Sequence, residues 1–304
     1  MKTILVTGAT GNQGGAVVDA LLEQPGRWRV RALTRTPDGK PARRLAARGV
    51  EVVGGDMADE ASLREAMAGV RGIFSVQNTR TAGLEGEVRQ GVNVANAAQA
   101  AGIPHVVYSS VGGAERARGI PHFDTKWRIE RHQRDIGLPV TVLRPTAFMD
   151  GYTMRGARSI GLGMLAGVLG RDKTLQMIAV RDIGVFARLA LADPGSYLGQ
   201  DFEIAGDELT VPQIAAAFRE VLGRRPRYPV IPAWMTRRMG PEAQMMIWFG
   251  ESGYAADIPS LRALHPDLLT FRQWLARYLG PSRAATRPAD GPATPAPARA
   301  PRSS

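Results

Sequence analysis

A glycine-rich turn between an apolar run and a helix-patterned segment, at residues 1–22, constrains this chain more than any other feature. Ile4, Leu5 and Val6 read as a short buried strand, Gly8-Ala-Thr-Gly11-Asn-Gln-Gly14-Gly15 closes it, and Ala16, Val17, Val18, Ala20, Leu21 and Leu22 recur at helical spacing. Strand, tight loop and helix in that order make a cradle for a dinucleotide pyrophosphate. Gly8 permits the sharp exit from the strand, Gly11 lets backbone N–H groups approach the phosphates, and Gly14 lets the helix sit against the strand with its positive end toward the anion. Thr10, Asn12 and Gln13 complete the expected contacts of this loop. A glycine turn alone also ends strands for steric reasons, so the flanking elements carry the inference.

Composition narrows the chemistry. The 304 residues include no cysteine, which excludes disulfides, thiolate nucleophiles and zinc–cysteine sites. Four histidines with no close-spaced carboxylate cluster give no reason to expect a metal. No apolar run approaches the roughly 20 residues that span a bilayer, and the first residues are a core strand rather than a signal peptide, so a cytoplasmic protein is expected. The formal charge of +11 raises nucleic acid as a partner, but residues 281–304 supply +3 of it. The other arginines are scattered, with no basic helix stripe and no aromatic platform between them. A solvated surface that attracts anionic cofactors accounts for the charge, and neither nucleic acid nor membrane is an expected partner.

Along the chain, Arg29–Thr34 alternates as a second strand and ends in Thr34-Arg35, with Lys40 shortly after. NAD sites usually place a carboxylate there for the ribose hydroxyls; Arg35 and Lys40 suit a 2′-phosphate instead, so NADP(H) is the expected cofactor. Arg35 as a plain surface residue is the alternative. Residues 50–53 form a third strand running into Gly55-Asp56-Met57, where Asp56 accepts from an adenine amino group, or Asp56 or Asp59 caps the next helix. A fourth strand, 70–76, ends in Gln77-Asn78 at the carboxyl mouth of the sheet, and a helix from about Glu85 to Ala101 returns the chain. The fifth strand ends in Ser109-Ser110. His122-Phe-Asp-Thr-Lys126 follows, with the lysine of a Tyr-x-x-x-Lys pair kept and the tyrosine replaced. His122 and Lys126 share a helix face, so Lys126 is a candidate for the nicotinamide ribose, and His122 is either a proton donor or a packed side chain. Ser110 is a third catalytic candidate. The sixth strand ends in Arg144-Pro145, putting Thr146 and Phe148 beside the nicotinamide.

Further on, the signals describe a smaller portion. Residues 156–170 hold five glycines and read as a lid-like or plain loop. Asp182 is a candidate N-cap for a helix through Leu191. Thr210-Val-Pro-Gln213 and Thr270-Phe-Arg-Gln273 are capping boxes that open helices, the second ending near Gly280. Residues 242–249, with Met245, Met246, Ile247 and Trp248, are a core helix or a pocket wall. The proline- and alanine-rich residues 281–304 lack large apolar side chains and are expected to be disordered. The fold expected is α/β, a Rossmann-type doubly wound parallel sheet over 1–152, with a smaller α/β substrate or partner portion over 153–280, some of whose segments return to the first domain.

Gly8-Ala-Thr-Gly-Asn-Gln-Gly14, Thr34-Arg35-Thr-Pro37, Gly55-Asp56, His122–Lys126, Arg144–Phe148 and Leu268–Trp274 together resemble the NmrA-like atypical short-chain dehydrogenases, in particular their NADPH-sensor-like branch. The resemblance implies NADP(H) between the two portions, Arg35 on the 2′-phosphate and Lys126 near the ribose. It implies one of two activities. The first is a redox sensor that responds to the NADPH/NADP⁺ balance through a regulatory protein partner. The second is an NADPH-dependent oxidoreductase that reduces a quinone or enone. Pro145-Thr146-Ala147 stands where that branch carries bulkier residues, which leaves room for a small-molecule acceptor.

Overall fold

The computed structural model describes residues 1–280 apart from Met154; the side chains of residues 155–157, 241 and 242 lie outside the described set, as does the expected disorder of residues 281–304. Among the described residues ten strands follow the chain as β1 (Lys2–Val6), β2 (Trp28–Thr34), β3 (Glu51–Gly54), β4 (Gly72–Ser75), β5 (Val106–Ser109), β6 (Val140–Pro145), β7 (Ala147–Phe148), β8 (Thr174–Ile178), β9 (Asp201–Ile204) and β10 (Asp207–Thr210). The helices are α1 (Asn12–Leu22), α2 (Lys40–Ala46), α3 (Glu60–Ala66), α4 (Thr79–Ala100), α5 (Pro121–Asp135), α6 (Arg155–Leu169), α7 (Val180–Ala192), α8 (Pro194–Tyr197), α9 (Val211–Leu222), α10 (Ala233–Thr236), α11 (Pro241–Glu251), α12 (Ile258–Leu264) and α13 (Phe271–Leu279).

Seven strands pair in the order β3-β2-β1-β4-β5-β6-β9, every neighbour parallel. Parallel strands need crossovers, and the crossover helices bury both faces of the sheet. In β1, Ile4 and Val6 face one core with Val17, Val18 and Leu21 of α1 and Ile183 and Phe186 of α7. Leu5 faces the other, with Leu63 of α3, Val94 and Ala98 of α4 and Ile129 of α5. The strand order reverses between β1 and β4, which opens a crevice at their carboxyl ends where ligands of such sheets bind.

A second core, formed by Leu162, Leu165, Leu169, Met177, Ile214, Phe218, Trp248, Phe271 and Trp274, packs around a three-stranded sheet in the order β10-β8-β7. α7 and β9 lie late in the chain yet pack on and pair with the large sheet. Both capping boxes form, with Thr210 and Thr270 accepting from the amides of Gln213 and Gln273 and each glutamine reaching back. Residues 245–249 belong to the second core: Ile247, Trp248 and Phe249 are buried and Met245 and Met246 pack against them.

Two expectations need correction. The glycine-rich stretch is no loop or lid; it is α6. A Cβ on Gly163 would stand 2.1 Å from the Pro229 carbonyl oxygen, and one on Gly167 would stand 1.7 Å from that of Ile231, so these glycines let a neighbouring segment lie directly on the helix. Asp182 is not the N-cap of α7, which is Ala179. It sits inside the first turn, fully buried, and accepts from the Leu269 amide at 3.0 Å and pairs with His265 at 3.2 Å, tying the chain before α13 to the large sheet's helix layer.

Candidate active site

The glycine loop has the shape its spacing requires. Gly8 takes φ +60°, a conformation that favours glycine. A Cβ on Gly14 would lie 2.3 Å from the Gly8 carbonyl oxygen, so only glycine lets α1 meet the loop this closely. Gly11 is the N-cap and offers no side-chain acceptor, and no acid lies in the first turn of α1. The amides and positive dipole end of α1 are therefore arranged for an outside anion, and these residues fit a dinucleotide pyrophosphate. Across the switch point, Thr7 Oγ1 accepts from the Val76 amide at 2.8 Å and donates to the Val76 carbonyl at 3.2 Å, joining the ends of β1 and β4.

The chain beyond β2 and β3 is polar. Arg35 follows β2, is exposed and makes no ion pair or hydrogen bond among the described residues; Lys40 opens α2. No carboxylate stands between Thr34 and Asp38. The two aspartates divide their work: Asp59 caps α3 through the Ala61 amide at 3.0 Å, whereas Asp56 is half-buried and accepts the Ala58 amide at 2.9 Å. Met57 lies beside it, its carbonyl accepting from Asn93 at 3.1 Å and its sulfur 3.5 Å from Gln77 Nε2.

On the β4–β5 side of the crevice, Lys126 is the organising group. Its buried ammonium donates to the Gln77 carbonyl at 2.6 Å and pairs with Glu87 Oε1 at 3.0 Å, with the Tyr108 ring 5.6 Å away. Burial pulls the lysine below its ordinary pKa, and the charge and hydrogen bond of Glu87 oppose that pull. Burial, then the charges of Glu87 and Glu130, pushes the Tyr108 phenol well above its ordinary range. Gln77 is almost fully enclosed, with its Nε2 on Ser75 Oγ at 2.9 Å. Asn78 caps α4 through the Thr81 amide at 3.1 Å, so its side chain is spent at that helix end.

The paired serines point to different partners. Ser109 Oγ donates to Gln13 Oε1 at 2.6 Å, fastening the end of β5 to the glycine loop. Ser110 Oγ donates to Glu130 Oε1 at 2.5 Å, and Glu130 also receives Arg144 at 2.8 Å, so this hydroxyl belongs to a buried charge network. Thr146 is buried with its amide and hydroxyl both on the Ile204 carbonyl, at 3.1 and 3.2 Å, stitching β6 to β9. Phe148 lies on β7 and is 38% exposed. His122, half-buried near the start of α5, meets the Phe123 ring edge-to-face at 4.8 Å.

The glycine loop, Gln77 and Lys126 thus ring the crevice at the carboxyl ends of β1 and β4. Glu87 and Thr7 also make contacts there and carried no clear signal in the sequence: a buried acid on a helix looks like a solvated one until its lysine is placed. Among the described residues, no group of three or more histidine, aspartate or glutamate side chains could hold a metal ion, and no helix is long and apolar enough to cross a membrane.

A model of the NmrA-like family matches residues 1–274. Over 291 residues the chain is 32% identical to a (4-alkanoyl-5-oxo-2,5-dihydrofuran-3-yl)methyl phosphate reductase of Streptomyces griseus, with 90% of this chain and 97% of the relative covered. Among solved structures it is similar to an NADPH-dependent quinone oxidoreductase of Escherichia coli in complex with NADPH (TM-score 0.74, 25% identity, 91% and 99% covered). It is also similar in fold to NmrA, a negative transcriptional regulator, in complex with NADP (TM-score 0.73, 21% identity, 94% and 98% covered).

Proposed function

Because the chain belongs to the NmrA-like family, we propose that it binds NADP(H) at the crevice between β1 and β4 and reduces a small conjugated acceptor, a quinone or an enone. The observation that carries this reading is Lys126: an ammonium buried at the mouth of a parallel sheet is costly to keep and can stabilise negative charge that develops on an acceptor. The full-length likeness to a reductase supports it.

In this reading 1–152 is the dinucleotide domain and 153–280 the substrate or partner portion. Gly8, Thr10, Gly11, Asn12, Gln13 and Gly14 receive the pyrophosphate. Arg35 and Lys40 meet the 2′-phosphate, Asp56 and Met57 the adenine. Gln77, Asn78, Thr146 and Phe148 border the nicotinamide. When bound, NADPH supplies a hydride. Lys126 hydrogen-bonds the ribose and stabilises charge that develops on the acceptor oxygen. Ser110 positions α5 through Glu130 rather than touching the acceptor, and His122 is the candidate proton donor at the entrance. The protein works in the cytoplasm.

A second reading is a redox sensor that reports the NADPH/NADP⁺ balance to a regulatory protein. It is favoured by the histidine at 122, where a catalytic tyrosine is absent, and by the commitment of the Ser110 hydroxyl to Glu130. NADPH consumption over a panel of quinones and enones separates the two. Turnover that collapses in Lys126→Ala while NADPH still binds supports the reductase; tight binding without turnover on any acceptor supports the sensor.

A further inference from the structure

We infer that Glu87 is the positioning residue that holds the Lys126 ammonium in place, charged and aimed at the Gln77 carbonyl, so that a glutamate on α4 governs the lysine of the cofactor crevice. The inference deepens the proposed function and rests on it for the meaning of Lys126, but not for the pairing itself. Glu87 is 1% exposed and gives one oxygen to Lys126 at 3.0 Å and the other to the Thr125 hydroxyl. The Thr125 hydroxyl also lies 3.1 Å from the His122 carbonyl, so the carboxylate is held from the second turn of α5, next to the lysine it serves.

The local architecture brings this acid inward. Gly83 takes φ +70° and ψ 176°, a kink four residues before Glu87 that redirects α4. A Cβ on Gly91 would stand 2.5 Å from Ile129 Cδ1, so α4 and α5 meet at a glycine one turn after Glu87. Close helix packing at that point buries the acid and the lysine together. The groups facing Lys126 are Glu87 from α4, the Tyr108 ring from β5, the Gln77 carbonyl after β4 and, more distantly, Glu130 from α5. Of these, Glu87 alone makes a direct ion pair with the ammonium among the described residues. Without it a buried ammonium would face a carbonyl and a ring, and would lose its proton more easily.

The chain has four lysines, Lys2, Lys40, Lys126 and Lys173, which makes side-chain NMR of lysine-labelled apoprotein tractable, with Lys126→Met assigning the signal. In Glu87→Gln the Lys126 resonance should titrate at least tenfold more readily toward the neutral form, a midpoint lower by one pH unit or more. Glu87→Asp should restore most of that difference. In parallel, NADPH affinity should fall about tenfold more in Glu87→Gln than in the wild type between pH 7 and 9. If Glu87→Gln does not fold, the Glu87→Gln/Lys126→Met double variant carries the test: with both charges of the pair removed together, it should fold where Glu87→Gln alone does not. An unchanged Lys126 titration in folded Glu87→Gln overturns the inference, as does a double variant that fails to fold when Glu87→Gln fails. Failure of the wild type to bind NADPH overturns the proposed function instead and leaves the apoprotein titration to judge Glu87.

Discussion

At the scale of single residues, the site is governed by what each position can hold without a clash and by where charge is placed. Gly14→Ala would force a methyl group within 2.3 Å of a backbone oxygen, so the loop must open; NADPH binding measured by fluorescence should be lost while the fold, by circular dichroism, is retained. Arg35 stands at the β2 end with no acid beside it, and Arg35→Glu should reduce the preference for NADPH over NADH by on the order of tenfold or more, read from the ratio of the two dissociation constants. His105 shows how burial sets a pH limit. Burial, with a smaller contribution from Lys2, lowers its pKa from 6.5 to about 4, and its Nε2 lies 2.8 Å from the Thr141 hydroxyl. The unfolded chain protonates first on acidification, so stability present above about pH 6.5 is lost as pH falls toward 4, by roughly 3 kcal/mol. Urea unfolding at pH 7 and pH 4 should show that loss in the wild type and a smaller one in His105→Gln.

Elements obey rules that a single residue does not display. α6 contains glycines of two kinds, one forced by packing and one not. Gly167 supports the Ile231 backbone and should cost about 1–3 kcal/mol when changed to alanine, because the neighbouring segment must move. A methyl group on Gly161 would have nothing within 4 Å, and Gly161→Ala should stabilise the protein by about 0.5–1 kcal/mol through helix propensity. Opposite signs from two glycines six residues apart, in one urea-unfolding series, would verify that the stretch is a helix pressed by a neighbour. The reading of this segment as a loop failed for a definite reason: glycine count reports backbone freedom in isolation, whereas here the missing side chains make room for the 229–232 backbone. The capping boxes at Thr210 and Thr270 were legible because a cap is a contact between residues three apart, complete within the local sequence.

For the whole molecule, α7 and β9 tie the later part of the chain to the seven-stranded sheet, so a ligand held at the carboxyl ends of β1 and β4 should stabilise the protein as one body. NADPH at a hundred times its dissociation constant should stabilise by about 2.7 kcal/mol and raise the melting temperature by several degrees, an increase absent in Gly14→Ala. The sequence by itself determined the strand–loop–helix cradle, the run of alternating strands and helices and the two capping boxes. Each of these follows from the chemistry of neighbours along the chain: apolar period, glycine spacing, capping oxygens. Only the tertiary structure decided that β9 joins the large sheet beside β6, that Asp182 holds the chain before α13, that Ser109 rather than Ser110 reaches the glycine loop, and that Glu87 is buried against Lys126. Those are contacts between residues 39 to 96 positions apart or more loosely placed segments, and their partners become known only when the packing of both sheet faces brings them together.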